Sequence, residues 1–546
     1  MTRYTGENLR HFALPLGGLG TGNLALAGNG ALRQWQLHNI GNHEGHVPDS
    51  FFAIRVSRVE PPVDEVRLLQ GPVAEPSATP LVTDDVVPAG EQRLHALLPS
   101  IGRTTVQAVY PGARIDYETD LPLDISMEVF NPLVPLDAAA SSQPVVGFTF
   151  TLHNGGDIPV HGWLGGALQN SVGWDGVTPI DGVSCALYGG NTNRQRQRDG
   201  WTSLVLENTT LPADHPGAGQ LVLSTDGVGT RSYLQWSTPE QFVSFLAGRQ
   251  VETHLHQGWP ESGRPFDASG ASAAGTTWNG GLAVPFQLGA GETRQLRFLI
   301  AWHFPNRYVD FPQFGPQTDY GHSRFWLGNA YSQAQPDAVA AAEAFTARWD
   351  ELAASTTGWA DAFESSTLPG EAGSRLAALV ADVRSPTVFQ TADGTVFGFE
   401  GTLGASTGMW AGRYGGSCPL NCTHVWNYEQ TLSRLFPALE RDMRDTEYDV
   451  MQAPSGYIPH RVIAPSYHRQ LWDVVIGGPE EPALDGMLGS VLKTYREVRQ
   501  GAGLEWLARR WPNVERLLTH IRGKWDPDGT GVLRGIQPST HDIDLS

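Results

Sequence analysis

The sequence predicts a multi-domain β + α protein: a large N-terminal antiparallel β-sandwich over residues 1–330, followed by an α-helical domain over residues 331–546. Three observations carry this. The chain has 546 residues, more than a single core usually organises at about 150 residues per domain. Up to about Trp326, short β-rich runs alternate with turn formers and helical periodicity is almost absent. From about Pro336 onward, apolar residues recur at spacings of three and four.

In the first part, Val145–Leu152 (VVGFTFTL) is rich in β-branched and aromatic residues and is followed by the turn former Asn154-Gly155-Gly156. Ala113–Tyr117, Leu123–Phe130, Leu221–Ser224 and Leu296–Trp302 are similar runs bounded by Gly, Pro, Asn or Asp. Many short strands with frequent turns imply a sandwich. In the second part, Phe345, Trp349 and Leu352 share one helical face, as do Leu376, Leu379, Val380 and Val383. Leu484, Met487, Leu488, Val491, Leu492, Tyr495 and Val498 form the most sustained stripe, and Trp511, Val514, Leu517, Leu518 and Ile521 another. Each stripe is read as a packing surface, and residues 337–546 have room for about six to eight helices. The loop-like segment Gly535–Ser546 follows soon after a helix, so the helical domain is expected to be cut partway through.

Composition narrows the function. Hydrophobic residues make up 40% and charged residues 17%, which excludes wholesale disorder. The 63 glycines and 38 prolines fall without a period, which suits strands and turns and excludes collagen. A formal charge of −20 repels phosphate backbones and anionic membranes, so no nucleic-acid partner is expected. Three cysteines cannot build a disulfide framework. No stretch approaches the roughly 18 apolar residues of a membrane span, and Met1–Pro15 lacks the apolar core of a signal peptide. A cytoplasmic location is expected on that basis.

Several motifs have plain structural readings. Pro15-Leu16-Gly17-Gly18-Leu19-Gly20-Thr21-Gly22 has no helix signal behind it, so a tight glycine-rich turn between closely packed backbones accounts for it better than a nucleotide loop. Cys418, Cys422 and His424 lack a second Cys/His pair nearby, so buried structural cysteines are expected and no metal site. Asp526-Pro527-Asp528-Gly529-Thr530-Gly531 has Gln537 at the twelfth position, where a calcium loop needs a bidentate Glu; an Asx/Gly turn fits better. Three further residues stand in more informative settings. Glu400 follows Val396-Phe397-Gly398-Phe399, an aromatic run in which an unpaired carboxylate would be costly to bury. His460 ends Gly456-Tyr457-Ile458-Pro459, and Asp542 lies in Pro538-Ser539-Thr540-His541 and the residues that follow, both loop segments.

Taken in order, these segments resemble glycoside hydrolase family 116, which includes the non-lysosomal glucosylceramidases and related bacterial and archaeal β-glucosidases and β-xylosidases. Leu14–Gly22 followed by Arg33-Gln34-Trp35-Gln36-Leu37 is similar to the family's N-terminal signature. Phe397-Gly398-Phe399-Glu400-Gly401 resembles the segment of its nucleophile, and Ser455-Gly456-Tyr457-Ile458-Pro459-His460 a segment whose histidine contacts the sugar. Thr540-His541-Asp542 resembles the triplet that holds the general acid/base. Leu484-Asp485-Gly486 through Tyr495-Arg496, and Trp511-Pro512, follow the family's helical pattern. The likeness runs from residue 11 to the last residue.

That resemblance implies a β-sandwich followed by an (α/α)6-barrel catalytic domain, here incomplete, because the family continues well past its acid/base. It implies a retaining β-glycosidase acting on β-glucosides, whether glucosylceramide-like, oligosaccharide or aryl, with carbohydrate or glycolipid as its partner. Glu400 would attack the anomeric carbon and Asp542, its pKa raised, would protonate the leaving oxygen and then deprotonate water. His460, His424 and Thr540 would orient hydroxyls, and Trp426, Trp410 or Trp472 would offer apolar faces to the sugar. No metal or organic cofactor is required. The chain departs from the pattern at Thr423-His424-Val425-Trp426-Asn427-Tyr428, where His424 stands for a sugar-gripping acid, and at Arg461, where the family usually has an acid after the histidine. Two other readings remain open: an inverting glycosidase or phosphorylase of similar architecture, with Glu429 or Glu481 as base, and an inactive carbohydrate-binding fragment.

Overall fold

The structure is a computed structural model and describes residues 2–72, 87–248, 270–310, 324–398, 421–462, 464–466, 482–538 and 544–545. Its contacts divide the chain into two compact units. Met1–Leu133, Ser142–Asn306 and Ala334–Ala381 form the first; Val134–Ser141, Arg307–Gln333 and Asp382–Ser546 form the second.

Among the described residues the first unit holds seventeen strands: β1 Thr2–Tyr4, β2 Ala13–Leu16, β3 Asn23–Ala27, β4 Leu32–Gln36, β5 Phe51–Arg58, β6 Val63–Leu68, β7 Arg103–Val109, β8 Gly112–Glu118, β9 Asp124–Phe130, β10 Val145–His153, β11 Val160–Gln169, β12 Asn191–Arg198, β13 Trp201–Asn208, β14 Gln220–Thr225, β15 Arg231–Trp236, β16 Asn279–Leu288 and β17 Thr293–His303. Antiparallel pairing gives a nine-stranded sheet ordered β1-β7-β8-β9-β10-β17-β14-β13-β12, a five-stranded sheet ordered β15-β16-β11-β5-β6, and a small sheet β2-β3-β4. The five runs singled out from the sequence in this part are all strands.

Strand β10 explains why two sheets and helices stack in layers. Its register with β17 runs from Val145 opposite Ala301 to His153 opposite Thr293. Phe148, Phe150 and Leu152 point one way and are fully buried. The ring of Phe52, on β5 of the other sheet, lies 5.0 Å from Phe148, 4.9 Å from Phe150 and 5.5 Å from Phe298 of β17. Those rings form the inside of the sandwich. On the outer face, a Cβ on Gly147 would sit 2.8 Å from Trp349 and 3.1 Å from Phe345. Helices therefore lie directly on the nine-stranded sheet.

Those helices come from the region where the sequence changes character. After α1 Ala89–Leu97 and α2 Pro239–Leu246, which join a core with Phe51, Leu68, Tyr233 and Trp236 of the five-stranded sheet, and after α3 Tyr331–Ala334, which belongs to the second unit as far as Gln333, come α4 Ala338–Thr346, α5 Trp349–Glu364 and α6 Gly370–Ala378 of the first unit. Asp337 caps α4 through the Ala340 amide at 2.7 Å. The Phe345/Trp349 face is shared by two helices broken at Ala347-Arg348, with the rings edge to face at 4.9 Å and Trp349 against Phe130 of β9 at 5.5 Å. Edge strand β12 is guarded by charge: Arg196 and Arg198 both reach Glu343 on α4. The helical sequence pattern beginning near Pro336 thus first serves the sandwich, and the division between the units falls later, at Ala381/Asp382.

The glycine-rich segment is the β2–β3 turn. Gly22 has φ +80°, and a Cβ there would sit 2.4 Å from the Gln36 carbonyl oxygen. One on Gly17 would sit 2.0 Å from the Gly22 carbonyl oxygen, so only glycine lets these backbones approach.

In the second unit, the strand pair β18 Tyr308–Asp310 and β19 Arg324–Trp326 and the hairpin β20 Val388–Gln390 and β21 Val396–Gly398 precede the remaining helices. Among the described residues these are α7 Val380–Val383, which spans the division, then α8 Thr431–Leu435, α9 Pro437–Asp445, α10 Leu484–Glu497 and α11 Gly503–Trp525. A wider π-type turn, Thr446–Met451, extends α9. Phe325, Leu327, Phe389, Phe397, Met451 and Val462 form one core. Tyr448, Ile458, Leu484, Met487, Val514, Leu517, Ile521 and Trp525 form another.

The apolar stripe of residues 484–498 packs as expected only in its first half, where Leu488 and Val491 lie against that core beside Leu484 and Met487. Leu484 and Met487 are buried, but Leu492 is 70% and Tyr495 65% exposed, while Ser490, Lys493, Thr494 and Glu497 are buried. The reason is a charge network. Arg444 of α9 pairs with Glu440 at 3.5 Å and with Glu447; Ser490 of α10 donates to Glu447 at 2.8 Å, and Arg496 pairs with Glu440 at 2.6 Å. Buried charges need partners, and the contacts of Ser490 with Glu447 and of Arg496 with Glu440 draw the polar face of α10 inward. Trp511 of the second stripe is likewise half exposed, whereas Val514, Leu517 and Ile521 are buried as expected.

Candidate active site

The site is built on the end of β21. The β20–β21 hairpin turns at Asp393-Gly394, where Gly394 has φ +94° and the Thr391 amide donates to the Thr395 carbonyl at 3.0 Å. Phe397 stacks on Phe389 at 5.8 Å and anchors the strand in the core. Asp442 of α9 accepts the Val396 amide at 3.0 Å. Burial pushes the Asp442 carboxyl up to about 6, despite that hydrogen bond. Two residues later the Gly398 amide donates to Asn421 Oδ1 at 2.7 Å, and Asn421 Nδ2 donates to the Val396 carbonyl at 3.1 Å. The side chain of Asn421 thus completes the edge of β21 as another strand would. Trp426 lies so close over Gly398 that a Cβ there would meet its ring at 2.1 Å.

Residues 421–428 are held from two other sides. Thr423 donates from both its amide (2.9 Å) and its hydroxyl (2.8 Å) to the His460 carbonyl, Cys422 bridges Arg461 as an isolated β pair, and the Val462 amide donates to the Asn421 carbonyl at 3.2 Å. Helix α10 presses in with two glycines: a Cβ on Gly486 would sit 2.3 Å from Thr423 Oγ1, and one on Gly489 would sit 1.9 Å from Asn427 Oδ1. Asn427 also donates to the Asp485 carbonyl at 3.0 Å.

This packing brings His424 and His460 together, their rings edge to face with centroids 4.5 Å apart. Both are buried, at 1% and 6% exposure. Burial first, then the Arg461 guanidinium and His424, lower the His460 pKa to about 3, so its imidazole is neutral in ordinary buffers. Arg461 Nη1 stands 3.4 Å from His460 Nδ1. A neutral imidazole both donates and accepts, which suits a sugar hydroxyl better than a cation would. Cys422 is buried beside both rings.

Of the residues named from the sequence, the structure therefore gathers His424, His460 and Trp426 around the strand that leads to residue 400. Trp426 is also buried, one face occupied by the Gly398 backbone. Glu400, Thr540 and Asp542 lie outside the described residues, as do Trp410, Trp472, Cys418 and Glu481. Gln537–Pro538 and Asp544–Leu545 pair antiparallel on either side of residues 539–543. Glu429 has a structural role, since its carboxylate accepts the Thr431 and Leu432 amides at the start of α8. Asp526 likewise accepts the Thr530 and Gly531 amides at 2.7 and 2.8 Å, an Asx turn as expected. Asn421, Asp442, Gly486 and Gly489 were not legible as site residues; only their positions in the fold reveal them.

A comparison with curated proteins found no match. Among solved structures, the chain is similar to a bacterial glucoamylase complexed with acarbose, at 9% identity over 94% of this chain and 67% of that one, with a TM-score of 0.36. It is similar to a GH92 α-mannosidase from Bacteroides thetaiotaomicron, at 10% identity over 98% and 66%, TM-score 0.29. Similarity to a protein described as a kojibiose phosphorylase from human microbiome is 10% over 72% of this chain, TM-score 0.31; the chain spans 42% of that protein's length. At such scores these likenesses carry no argument about fold or reaction. No helix among the described residues is long and apolar enough to cross a membrane. The model of the N-terminal domain of glycosyl-hydrolase family 116, described with beta-glucosidase 2, matches residues 13–352, the sandwich and the covering helices as far as the start of α5. With more than half of its residues matched, the chain belongs to glycosyl-hydrolase family 116, a family of glycoside hydrolases.

Proposed function

We propose that the protein is a retaining β-glycosidase that hydrolyses β-glucosides by double displacement, its second unit being part of an (α/α)6 barrel. Glu400, ionised, attacks the anomeric carbon from the α face and forms a glycosyl-enzyme. Asp542, protonated, gives its proton to the leaving oxygen, then takes one from the water that attacks the intermediate. Two inversions at the same carbon return the β configuration.

The observation that supports this most is the frame around β21. Asp442, Asn421 and Trp426 hold Val396 and Gly398, two residues before Glu400, and the same frame carries His424 and the neutral His460. His460 and His424 orient hydroxyls by hydrogen bonds, with Thr540 and Trp426 completing the sugar site. His424 standing where the family has an acid removes one charge-assisted grip, so the sugar tolerated at that position differs from the family's usual one. An inverting reaction with Glu429 as base is disfavoured, because its carboxylate already caps α8.

The test is chemical rescue. With an activated aryl β-glucoside, Glu400→Ala is expected to lose turnover and to regain it with azide as the α-glycosyl azide. Asp542→Ala is expected to yield the β-azide. Turnover at the native rate by either variant, or the opposite anomer, would overturn the assignment.

A further inference from the structure

The cysteine beside the two histidines has no part in that reaction. Among the described residues, Cys422, His424 and His460 are the group of side chains whose ligand atoms come together, all within 4.8 Å of one another and all buried. Sequence spacing hides this, because His460 arrives from a separate segment through the Cys422–Arg461 bridge and the two Thr423 hydrogen bonds. His460 Nε2 is buried and has no hydrogen-bond partner among the described residues. Its other nitrogen faces Arg461. An imidazole nitrogen left in that state is costly, and a ligand there would relieve the cost.

We propose that Cys422, His424 and His460 bind one divalent cation of the zinc class, leaving a fourth position to water or a hydroxyl. A thiolate with two imidazoles selects borderline-soft ions over calcium or magnesium, and three protein ligands with an open position is the zinc arrangement that keeps exchangeable coordination. Tetrahedral zinc, with nitrogen at about 2.0–2.1 Å and sulfur at about 2.3 Å, sets ligand atoms about 3.5 Å apart. The cluster, at most 4.8 Å across, therefore closes by up to about 1.3 Å, within reach of side-chain rotation about bonds whose backbones are already locked. On binding, the Cys422 thiol proton passes to solvent and the sulfur lone pair to the metal. Arg461 works against the site: zinc-bound histidines ordinarily hand their second nitrogen to a carboxylate or carbonyl, and here a guanidinium stands there. Binding is thus weaker than at a carboxylate-backed site, and the ion is exchangeable.

The experiment is a titration of the metal-stripped 546-residue chain with Co2+, read by absorption. A thiolate-to-cobalt charge-transfer band is expected to saturate at one ion per chain, to be displaced by Zn2+, and to vanish in Cys422→Ser and in His460→Gln. Cys418→Ser is expected to keep it. Absence of the band at a large excess of Co2+, its persistence in Cys422→Ser, or its loss in Cys418→Ser with retention in Cys422→Ser would overturn the proposal. Should Cys422→Ser fail to fold, His460→Gln decides the same point. With the ion bound, the imidazole nitrogens no longer meet the sugar directly and a hydroxyl would reach the ion's open position instead; because the readout is spectroscopic, the test stands or falls separately from the glycosidase reaction.

Discussion

Removing the side chain of Asn421 tests the frame under the candidate active site. Asn421→Ala deletes the acceptor of the Gly398 amide (2.7 Å) and the donor to the Val396 carbonyl (3.1 Å), at a position only 3% exposed. Each buried backbone group left unmade costs about 1–3 kcal/mol, so the pair costs about 2–6 kcal/mol, with water entry bringing it to the low end. Because the chain has two units, a single global unfolding energy is a poor readout, and local exchange is the better one. Hydrogen–deuterium exchange of peptides covering residues 388–398 should accelerate at least about thirtyfold in Asn421→Ala, the equivalent of about 2 kcal/mol. Peptides of the sandwich core, such as residues 145–153, should not change. Exchange at 396–398 within about threefold of the native protein would refute the view that this side chain completes the edge of β21.

Two further outcomes follow from buried charge. Arg444→Met takes the guanidinium from Glu447, which keeps only Ser490, and leaves Glu440 to Arg496 alone, and removing one partner of a buried network costs about 3–5 kcal/mol; scanning calorimetry should show the second unit melting earlier, and a loss below about 1 kcal/mol would contradict the network. His460 titrates at about 3 in the folded protein against 6.5 ordinarily, so the unfolded state binds the extra proton. Its contribution to stability is complete above pH 6.5 and is lost as the pH falls from 6.5 towards 3. Between pH 7 and 4 the stability of His460→Gln should therefore decline less steeply than that of the native protein, and parallel curves in urea denaturation would argue against a buried neutral imidazole.

Periodicity alone determined that strands come first and helices later. In β10 it also determined the facing, since Phe148, Phe150 and Leu152 alternate with smaller residues and all three are buried. A strand with large apolar groups on one face has one economical way to lie. The segments carrying Glu400, His460 and Asp542 were legible for a different reason, their likeness to a family, and of the site residues only His424, Trp426 and His460 fall within the described structure.

Tertiary structure decided what periodicity is blind to. In α10 the spacing announces a helix, yet Ser490, Lys493, Thr494 and Glu497 turn inward and Leu492 and Tyr495 outward; Ser490 meets Glu447 and Thr494 meets the Tyr448 hydroxyl, partners that no local pattern records. The helices from Ala338 to Ala378 lie on the sheet although their sequence belongs to the helical part, because Gly147 leaves a hollow that Phe345 and Trp349 fill. Cys422 and His424 meet His460 for the same reason: distance along the chain says nothing about distance in space until the backbone hydrogen bonds of Thr423 and Asn421 close the gap.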